Sequence, residues 1–141
     1  MIIRESEEKD AQVLSQLLGE LGYPASPDDC QKRIQLYRQD GYKLMMGEVE
    51  GKSIGFIALH WYHAFHHPRP IGRVVAFCVD EAHRSKGWGS LLLKYAEDFF
   101  RSKNCVKVEL TSNLKRKESH EYYFRKGYQQ ASMHFVKYFD S

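Results

Sequence analysis

The chain has 141 residues, 43% of them hydrophobic and 28% charged, which are ordinary values for one globular domain with its own core. Its formal net charge of +3 comes from basic residues spread along the sequence, which argues against nucleic-acid binding. No apolar run approaches the roughly 18 residues of a membrane span, and no signal peptide is recognised. Cys30, Cys78 and Cys105 are widely spaced and typical of reduced thiols, so a cytoplasmic location is expected.

Hydrophobic periodicity and turn residues predict a series of alternating strands and helices. In chain order they are a strand at residues 1–5, helices at 7–21 and 27–40, a hairpin of strands at 42–49 and 53–62, a loop at 63–70, a strand at 71–79, a helix that ends near 102, a strand at 106–110, a helix at 115–126 and a strand at 130–139. Strands and helices mixed in this way indicate an α/β domain.

The junction after the strand at residues 71–79 carries the strongest chemical signal. Arg84, Lys86, Gly87 and Gly89 lie between that strand and a helix with an apolar stripe. Glycines let a backbone approach a ligand closely, and a helix start offers unpaired N–H groups and the positive end of a dipole. The pattern predicts a cradle for a phosphate group, although many ordinary turns also place a glycine pair before a helix.

The arrangement Arg84-x-x-Gly87-x-Gly89 at a strand–helix junction resembles the acetyl-CoA signature of the GNAT family of N-acetyltransferases. The resemblance implies that loop amides hold the diphosphate of acetyl-CoA, the cosubstrate. The residues that it implies in cofactor binding are Cys78, Val79, Arg84, Ser85, Lys86, Gly87, Trp88, Gly89, Ser90, Asn113 and Tyr123. It also implies that an amide near Val79, freed where the strand bulges, meets the oxyanion that forms during acetyl transfer.

The order of the predicted elements, βααβββαβαβ, matches the same family. The resemblance covers nearly the whole chain and implies the α/β GNAT fold. In that fold a mixed, mostly antiparallel sheet of six or seven strands is splayed between its fourth and fifth strands to admit the cofactor. It further implies that residues 1–141 form a single acetyltransferase domain.

A second segment of the chain supports the same family. Residues 111–113, Arg116 and residues 119–128 resemble the family's downstream pattern of asparagine, arginine, histidine, tyrosine and glycine. By this resemblance Tyr123 is the general acid toward the departing thiolate, and Asn113 contacts the pantetheine arm of the cofactor. The alternative for a tyrosine on an apolar helix face is simple packing with a satisfied hydroxyl.

The general base stays unassigned, because the strand at residues 73–79 has no carboxylate where related enzymes often carry one. A primary alkylamine is almost entirely protonated at pH 7, so a side chain or a water chain must take its proton. The candidates are Glu48, His60, His63, His67 and Glu109. A divalent metal bound by His60, His63, His66 and His67 is a weaker alternative because their spacing is irregular, and no metal is expected.

Within the family the sequence most resembles the aminoalkylphosphonate N-acetyltransferases. The stretches that carry this resemblance are residues 54–60, 63–67, 71–73 and 111–116. The function implied is acetyl-CoA-dependent acetylation of a primary amine of a small molecule, with aminoalkylphosphonates as one substrate class. Arg69, Arg73 and the loop histidines would then meet the anionic group.

Several alternatives stay open at the level of sequence. The acceptor of an acetyltransferase could instead be an aminoglycoside or a protein amine. Alternatively, the chain is not an enzyme but a non-catalytic acyl-CoA-binding module or a structural domain. The expected partner is a small-molecule amine, with neither nucleic acid nor membrane involved. A homodimer is one expectation for the assembly, because dimers are common in the family.

Overall fold

A computed structural model describes residues 1–112 and 117–139, and the chain divides into two compact units, Met1–Leu110 and Thr111–Ser141. The first unit contains β1 (Ile2–Glu5), α1 (Ala11–Leu21), α2 (Pro27–Leu36), β2 (Tyr42–Val49), β3 (Lys52–Tyr62), β4 (Ile71–Val79), α3 (Trp88–Ser102) and β5 (Lys107–Leu110). The second unit contains α4 (Lys117–Arg125). No helix in the described ranges combines the length and the hydropathy that crossing a bilayer requires.

The strands of the first unit form one sheet in the order β1-β2-β3-β4-β5. Neighbouring strands are antiparallel except β4 and β5, which run parallel. The hairpin between β2 and β3 turns through Glu50 and Gly51, both of which have a positive φ, as tight hairpin turns require. The predicted mixed, mostly antiparallel sheet is therefore confirmed.

The predicted strand count of six or seven differs from the described residues, which hold five strands. Residues 130–139, predicted as the last strand, have no strand conformation. Met133 and Phe135 are exposed there, as are Tyr138 and Phe139. The prediction rested on composition and alternation, but a segment becomes a strand only when a neighbouring strand supplies hydrogen bonds.

Helices cover both faces of the sheet. α1 and α2 pack on one face, where Leu14 and Ile34 join Phe56 of β3 in a core cluster. α3 covers the other face and buries Phe100 against Gly72, where a Cβ atom would overlap the phenyl ring. One face of the sheet is therefore covered by a helix pair and the other by a single helix.

β4 contains a β-bulge at Val75. On either side of it, Val74 lies opposite Leu59 and Ala76 lies opposite Ala58, so Val75 is the extra residue. Cross-strand partners share a face of the sheet, and successive residues of β3 point to opposite faces. Val74 and Ala76, which would share a face in a regular strand, therefore lie on opposite faces.

The predicted bulge near Val79 is wrong, since Val79 pairs in register with Gly55. The end of β4 is opened instead by the short length of β5, which pairs only with residues 71–74 while β4 continues to Val79. This unequal pairing corresponds to the splay predicted between the fourth and fifth strands. The position of a bulge depends on the ladder with the neighbouring strand, which the residues of β4 alone do not reveal.

A charged cluster ties β1 to the first helix and to β2. The guanidinium of Arg4 donates two hydrogen bonds to Asp10, each 2.8 Å long, and its Nε donates to Glu48 at 2.9 Å. Asp10 is buried in a 3-10 turn and also accepts the amide of Glu7 at 2.7 Å. Burial by itself raises the pKa of Asp10, but the hydrogen bonds from Arg4 and Glu7 outweigh it and hold the pKa below its ordinary value.

Replacing Asp10 with asparagine is expected to lower the free energy of unfolding by about 3 kcal/mol at neutral pH, because Arg4 loses an anionic partner in a largely buried cluster. The pKa of Asp10 is lower in the folded than in the unfolded chain. Its stabilisation is therefore present above about pH 4 and is lost as the pH falls through the folded-state pKa. Urea unfolding at several pH values should show the gap to wild type narrowing in acid. The exposed Asp40→Asn is the control, and a pH-independent gap would contradict this assignment.

Candidate active site

The chain between β4 and α3 forms an open helix N-terminus. A 3-10 turn at Glu81–His83 leads into the loop, and Gly87 precedes α3 with a φ of 85° and no side-chain cap. Ser85 also has a positive φ, of 63°. The first turn of α3 contains no acidic residue. Its leading amides and the positive end of its dipole therefore suit an anionic ligand.

The start of α3 lies against the end of β4. A Cβ atom at Gly89 would lie 3.3 Å from the ring of Phe77 and 3.6 Å from Cγ2 of Val79. The absence of a side chain at Gly89 thus lets the helix backbone approach the strand closely. A ligand held at this helix N-terminus would lie beside the last residues of β4.

The amide of Val79 points away from β3. The amide of the next residue, Asp80, donates to the carbonyl of Ile54 at 2.6 Å, and alternate residues of a strand present their backbone groups to opposite edges. In agreement, the Val79 carbonyl accepts a hydrogen bond of 3.0 Å from Nε of Arg84 on the other edge. The β4–β5 ladder ends where Val74 pairs with Leu110, so β5 does not cover the outer edge of β4 at Val79.

Arg84 links the loop to α1 as well as to β4. Its terminal nitrogen lies 3.8 Å from Oε1 of Glu20, near the C-terminus of α1. The same carboxylate oxygen accepts the amide of Glu81 at 2.8 Å, which fixes the beginning of the loop. The side chain of Arg84 is 48% exposed, so it combines a defined position with access from solvent.

The structure brings most of the predicted cofactor-binding residues into one place. Those in or next to the loop are Val79, Arg84, Ser85, Lys86, Gly87, Trp88, Gly89 and Ser90. The side chain of Cys78 is instead buried and lies 3.6 Å from the carbonyl of Leu17. Its backbone groups point toward β3, opposite to those of Val79, so Cys78 offers no donor at the outer edge. Asn113 falls outside the described residues.

The loop fits the diphosphate of acetyl-CoA. Two glycines leave its backbone uncovered, the exposed Lys86 and Arg84 supply positive charge, and the first turn of α3 adds amides without a competing carboxylate. This donor set is suited to oxygen anions. It offers no thiol or imidazole cluster of the kind that would bind a transition metal.

Tyr123 belongs to the second unit, in α4. Its ring packs edge-on against Tyr122, with ring centroids 5.5 Å apart, and against Tyr128, with centroids 5.8 Å apart. The backbone carbonyl of Tyr123 accepts the amide of Tyr128 at 3.0 Å, a hydrogen bond made possible by the positive φ of Gly127 at the end of the helix. The side chain therefore has a defined local environment within its own unit, and its role as general acid stays a prediction.

The acidic candidates for the general base are held by other groups. Glu48 accepts the hydrogen bond from Arg4 described above. Glu109 accepts the hydroxyl of Tyr62 at 2.8 Å and lies 3.4 Å from a terminal nitrogen of Arg73. The hydrogen bond to Glu109, with burial as a second cause, raises the pKa of Tyr62. Both carboxylates thus have structural partners.

The loop histidines form no compact site. His63 is exposed, and the ring of His67 lies tilted against that of His66 with centroids 4.5 Å apart. Within residues 1–112 and 117–139, no three or more histidine, cysteine, aspartate or glutamate side chains are grouped to hold a metal ion.

His60 is the candidate with the most defined geometry. Its ring stacks between Tyr42, at a centroid distance of 4.3 Å, and Tyr62, at 5.4 Å. Its Nδ1 lies 2.7 Å from the carbonyl oxygen of Gly41, which can only accept a hydrogen bond. Nδ1 therefore carries the proton in the neutral ring, and Nε2 carries the lone pair that can accept one.

The face covered by α1 and α2 contains a cavity of about 190 Å³. Its lining consists of Leu14, Leu18, Cys30, Arg33, Tyr37, Leu44, Phe56, Ala58 and Ala76. The stacked rings of Tyr42, His60 and Tyr62 form an aromatic row. Tyr37 connects the cavity to this row, because its ring packs edge-on against Tyr42 with centroids 5.2 Å apart. Burial raises the pKa of Tyr37. The sequence prediction missed this cavity, and the small residues Ala58 and Ala76 on neighbouring apolar strands were its only signal.

Comparison with known proteins agrees with this geometry. A model of the acetyltransferase (GNAT) family matches residues 11–128. The chain is 36% identical over 87 residues to an aminoalkylphosphonate N-acetyltransferase of Salmonella typhimurium. That match takes in 62% of this chain and 56% of the relative, so the chain spans about half of that relative's length.

Solved structures show the same fold. A GNAT family acetyltransferase of Staphylococcus aureus is 27% identical, with a TM-score of 0.82 and 98% of each chain covered. A transcriptional regulator of Bacillus halodurans has a TM-score of 0.88 at 16% identity, with 98% of this chain and 99% of that chain covered, and it speaks to the fold alone. With the family model spanning most of its length, the chain belongs to the acetyltransferase (GNAT) family.

Proposed function

We propose that this chain is an acetyl-CoA-dependent N-acetyltransferase that acts on a primary amine of a small molecule. The observation that carries the proposal is the uncapped N-terminus of α3 beside the outer edge of β4, with Arg84 and Lys86 next to it. A diphosphate at this loop would direct the rest of the cofactor along β4, because the helix start and the strand end are in contact. When bound, the cofactor supplies the activated acetyl group.

Val79 is the proposed donor to the oxygen that gains negative charge. Its amide points to the outer edge of β4, and its carbonyl is fixed by Arg84. A backbone amide held in this way needs no reorganisation when charge develops, which is the property that makes such donors effective.

His60 is the proposed general base. It lies opposite Arg73, whereas Gly55, five residues away along β3, lies opposite Val79. Five residues of strand correspond to about 17 Å, so the proton of the amine would reach Nε2 through a chain of water molecules. The hydrogen bond to Gly41 holds the ring with Nε2 as the acceptor throughout.

Tyr123 and Asn113 are proposed from the family resemblance. Tyr123 would donate a hydrogen bond to the departing thiolate, and Asn113 would contact the pantetheine arm. We further propose that both units act as one acetyltransferase domain, since a single family model spans residues 11–128. A cytoplasmic location is proposed from the three widely spaced cysteines.

The relative from Salmonella typhimurium favours an aminoalkylphosphonate as the acceptor, as one finer version of the proposal. The competing versions are an aminoglycoside, a protein amine and a non-catalytic acyl-CoA-binding module. Thiol release from acetyl-CoA, measured against a panel of amines, separates them. A binding module would take up CoA without amine-dependent release, and a structural domain would bind no CoA.

Replacing Gly87 with alanine is expected to weaken CoA binding about tenfold, because an L-residue at a φ of 85° costs on the order of 1–2 kcal/mol and shifts the loop amides. Gly51→Ala is the matched control. Gly51 has a φ of 76° with open space around its Cβ position, but it lies in the β2–β3 turn. Both variants should lose similar stability, and titration calorimetry should show weakened CoA binding only for Gly87→Ala. Equal CoA affinity in both would move the diphosphate away from this loop.

A further inference from the structure

We infer that the cavity between α1, α2 and the sheet receives an apolar side group of the acceptor amine, while an anionic group of the same molecule pairs with Arg33. The inference rests on the proposed acetyltransferase function and names its substrate class: small primary amines that carry both a hydrocarbon group and an acidic group.

The cavity lining selects hydrocarbon. Seven of the nine lining residues are apolar, namely Leu14, Leu18, Cys30, Leu44, Phe56, Ala58 and Ala76. An apolar cavity of about 150 Å³ stays dry and takes up a molecule the size of benzene. A cavity of about 190 Å³ therefore has room for a phenyl or branched alkyl group. A small hydrophilic acceptor would leave this surface without a partner.

The positive charge of Arg33 at the cavity favours an acceptor that carries an anionic group. Arg33 is the one charged residue among the nine that line it, and Arg33 is exposed, which places its guanidinium at the solvent side. A guanidinium matches the planar or tetrahedral oxygens of carboxylate, phosphonate and phosphate groups and repels a second ammonium. Polycationic acceptors such as aminoglycosides are therefore disfavoured.

The cavity also lies beside β4. Ala76 forms part of its wall and stands three residues, about 10 Å of strand, before Val79, the proposed donor to the oxyanion. An acceptor anchored in the cavity would therefore extend its amine along β4 toward Val79. Tyr37 continues the wall into the aromatic row that holds His60.

A four-member amine panel tests the class. Phenylalanine and its phosphonate analogue carry both groups, phenethylamine lacks the anion, and aminomethylphosphonate lacks the hydrocarbon. We expect the better substrate of phenylalanine and its phosphonate analogue to have a kcat/KM at least tenfold higher than that of phenethylamine or aminomethylphosphonate. Comparing phenylalanine with its phosphonate analogue shows whether the site prefers a carboxylate or a phosphonate. Lengthening an alkyl group by one methylene should improve KM about fourfold until the cavity is filled.

Filling the cavity tests the location. Ala58→Val and Ala76→Val should each raise the KM for the preferred amine at least tenfold and leave the Kd for CoA unchanged. Arg33→Met should reduce the preference for an anionic amine over phenethylamine, whereas Lys32→Met, on an exposed neighbouring residue of α2, should not. Ala76→Val serves as the second variant if Ala58→Val does not fold.

The outcomes are distinct. If both fillings raise thermal stability and change no KM, the cavity is a packing void and the inference is overturned. If acetylation proceeds but prefers phenethylamine or aminomethylphosphonate, the acceptor class is wrong while the proposed function stands. If neither these four amines nor the wider amine panel described above stimulates thiol release, the proposed function itself fails.

Discussion

Replacing His60 with phenylalanine is expected to lower kcat by about 10²-fold and to leave the affinity for CoA unchanged. Phenylalanine keeps a flat ring between Tyr42 and Tyr62, so the stacking is preserved while the proton acceptor is removed. The acid limb of the rate–pH profile, where protonation of a base stops the reaction, should flatten in the variant. Steady-state kinetics across pH values with a saturating amine measures both effects.

The control is His63→Phe, which removes a histidine from the exposed loop and should leave kcat unchanged. His60→Asn adds a second test, because an asparagine amide can still donate to the Gly41 carbonyl without supplying a base. If the asparagine variant keeps full activity, His60 has a structural role only. An unchanged pH profile in the phenylalanine variant would lead to the same conclusion.

Replacing Tyr123 with phenylalanine is expected to cut kcat by about 10²-fold with little change in CoA affinity. The ordinary pKa of tyrosine is near 10 and that of a thiol near 8.5, so complete proton transfer to the thiolate would be uphill by roughly 2 kcal/mol. The hydroxyl is therefore expected to donate a hydrogen bond to the developing thiolate. Such a contact strengthens as charge builds up, so its loss appears in kcat and not in ground-state binding.

Tyr122→Phe is the matched control for Tyr123, because the two rings pack against each other in the same helix. Stopped-flow measurement of the acetyl-transfer step distinguishes a chemical effect from slow product release. A leaving-group role would also make the variant less sensitive when the thiol is replaced by one of lower pKa. If kcat is the same in the Tyr123 variant and the wild type, Tyr123 takes no part in the reaction.

The local parts of the site were predictable from the sequence. The loop with Gly87 and Gly89 could be located because a strand, two glycines and an amphipathic helix are consecutive in the chain. The mixed sheet could also be predicted, from the order of strands and helices. The predicted last strand at residues 130–139 failed because alternation does not supply a hydrogen-bonded neighbour.

The surroundings of His60 were not predictable in the same way. Counted from the turn, where Val49 lies opposite Lys52, a regular hairpin would place Tyr42 opposite Leu59. The register shifts by one between Gly47 and Glu48, so Tyr42 instead meets His60. One irregularity in the β2–β3 ladder thus decides whether the imidazole of His60 is stacked against Tyr42. The residues of a single strand do not reveal where such an irregularity falls.

The extra residue at Val75 has a comparable effect on the cavity between the helix pair and the sheet. If the ladder had stayed regular until Val79, Phe77 would have pointed toward the helix pair and Ala76 toward α3. A benzyl group would then occupy the space that a methyl group now leaves open. If the cavity receives the acceptor as inferred above, the substrates that the protein accepts depend on the position of the bulge in β4 as well as on the identities of the side chains. Redesign of the specificity could begin by relocating that surplus residue.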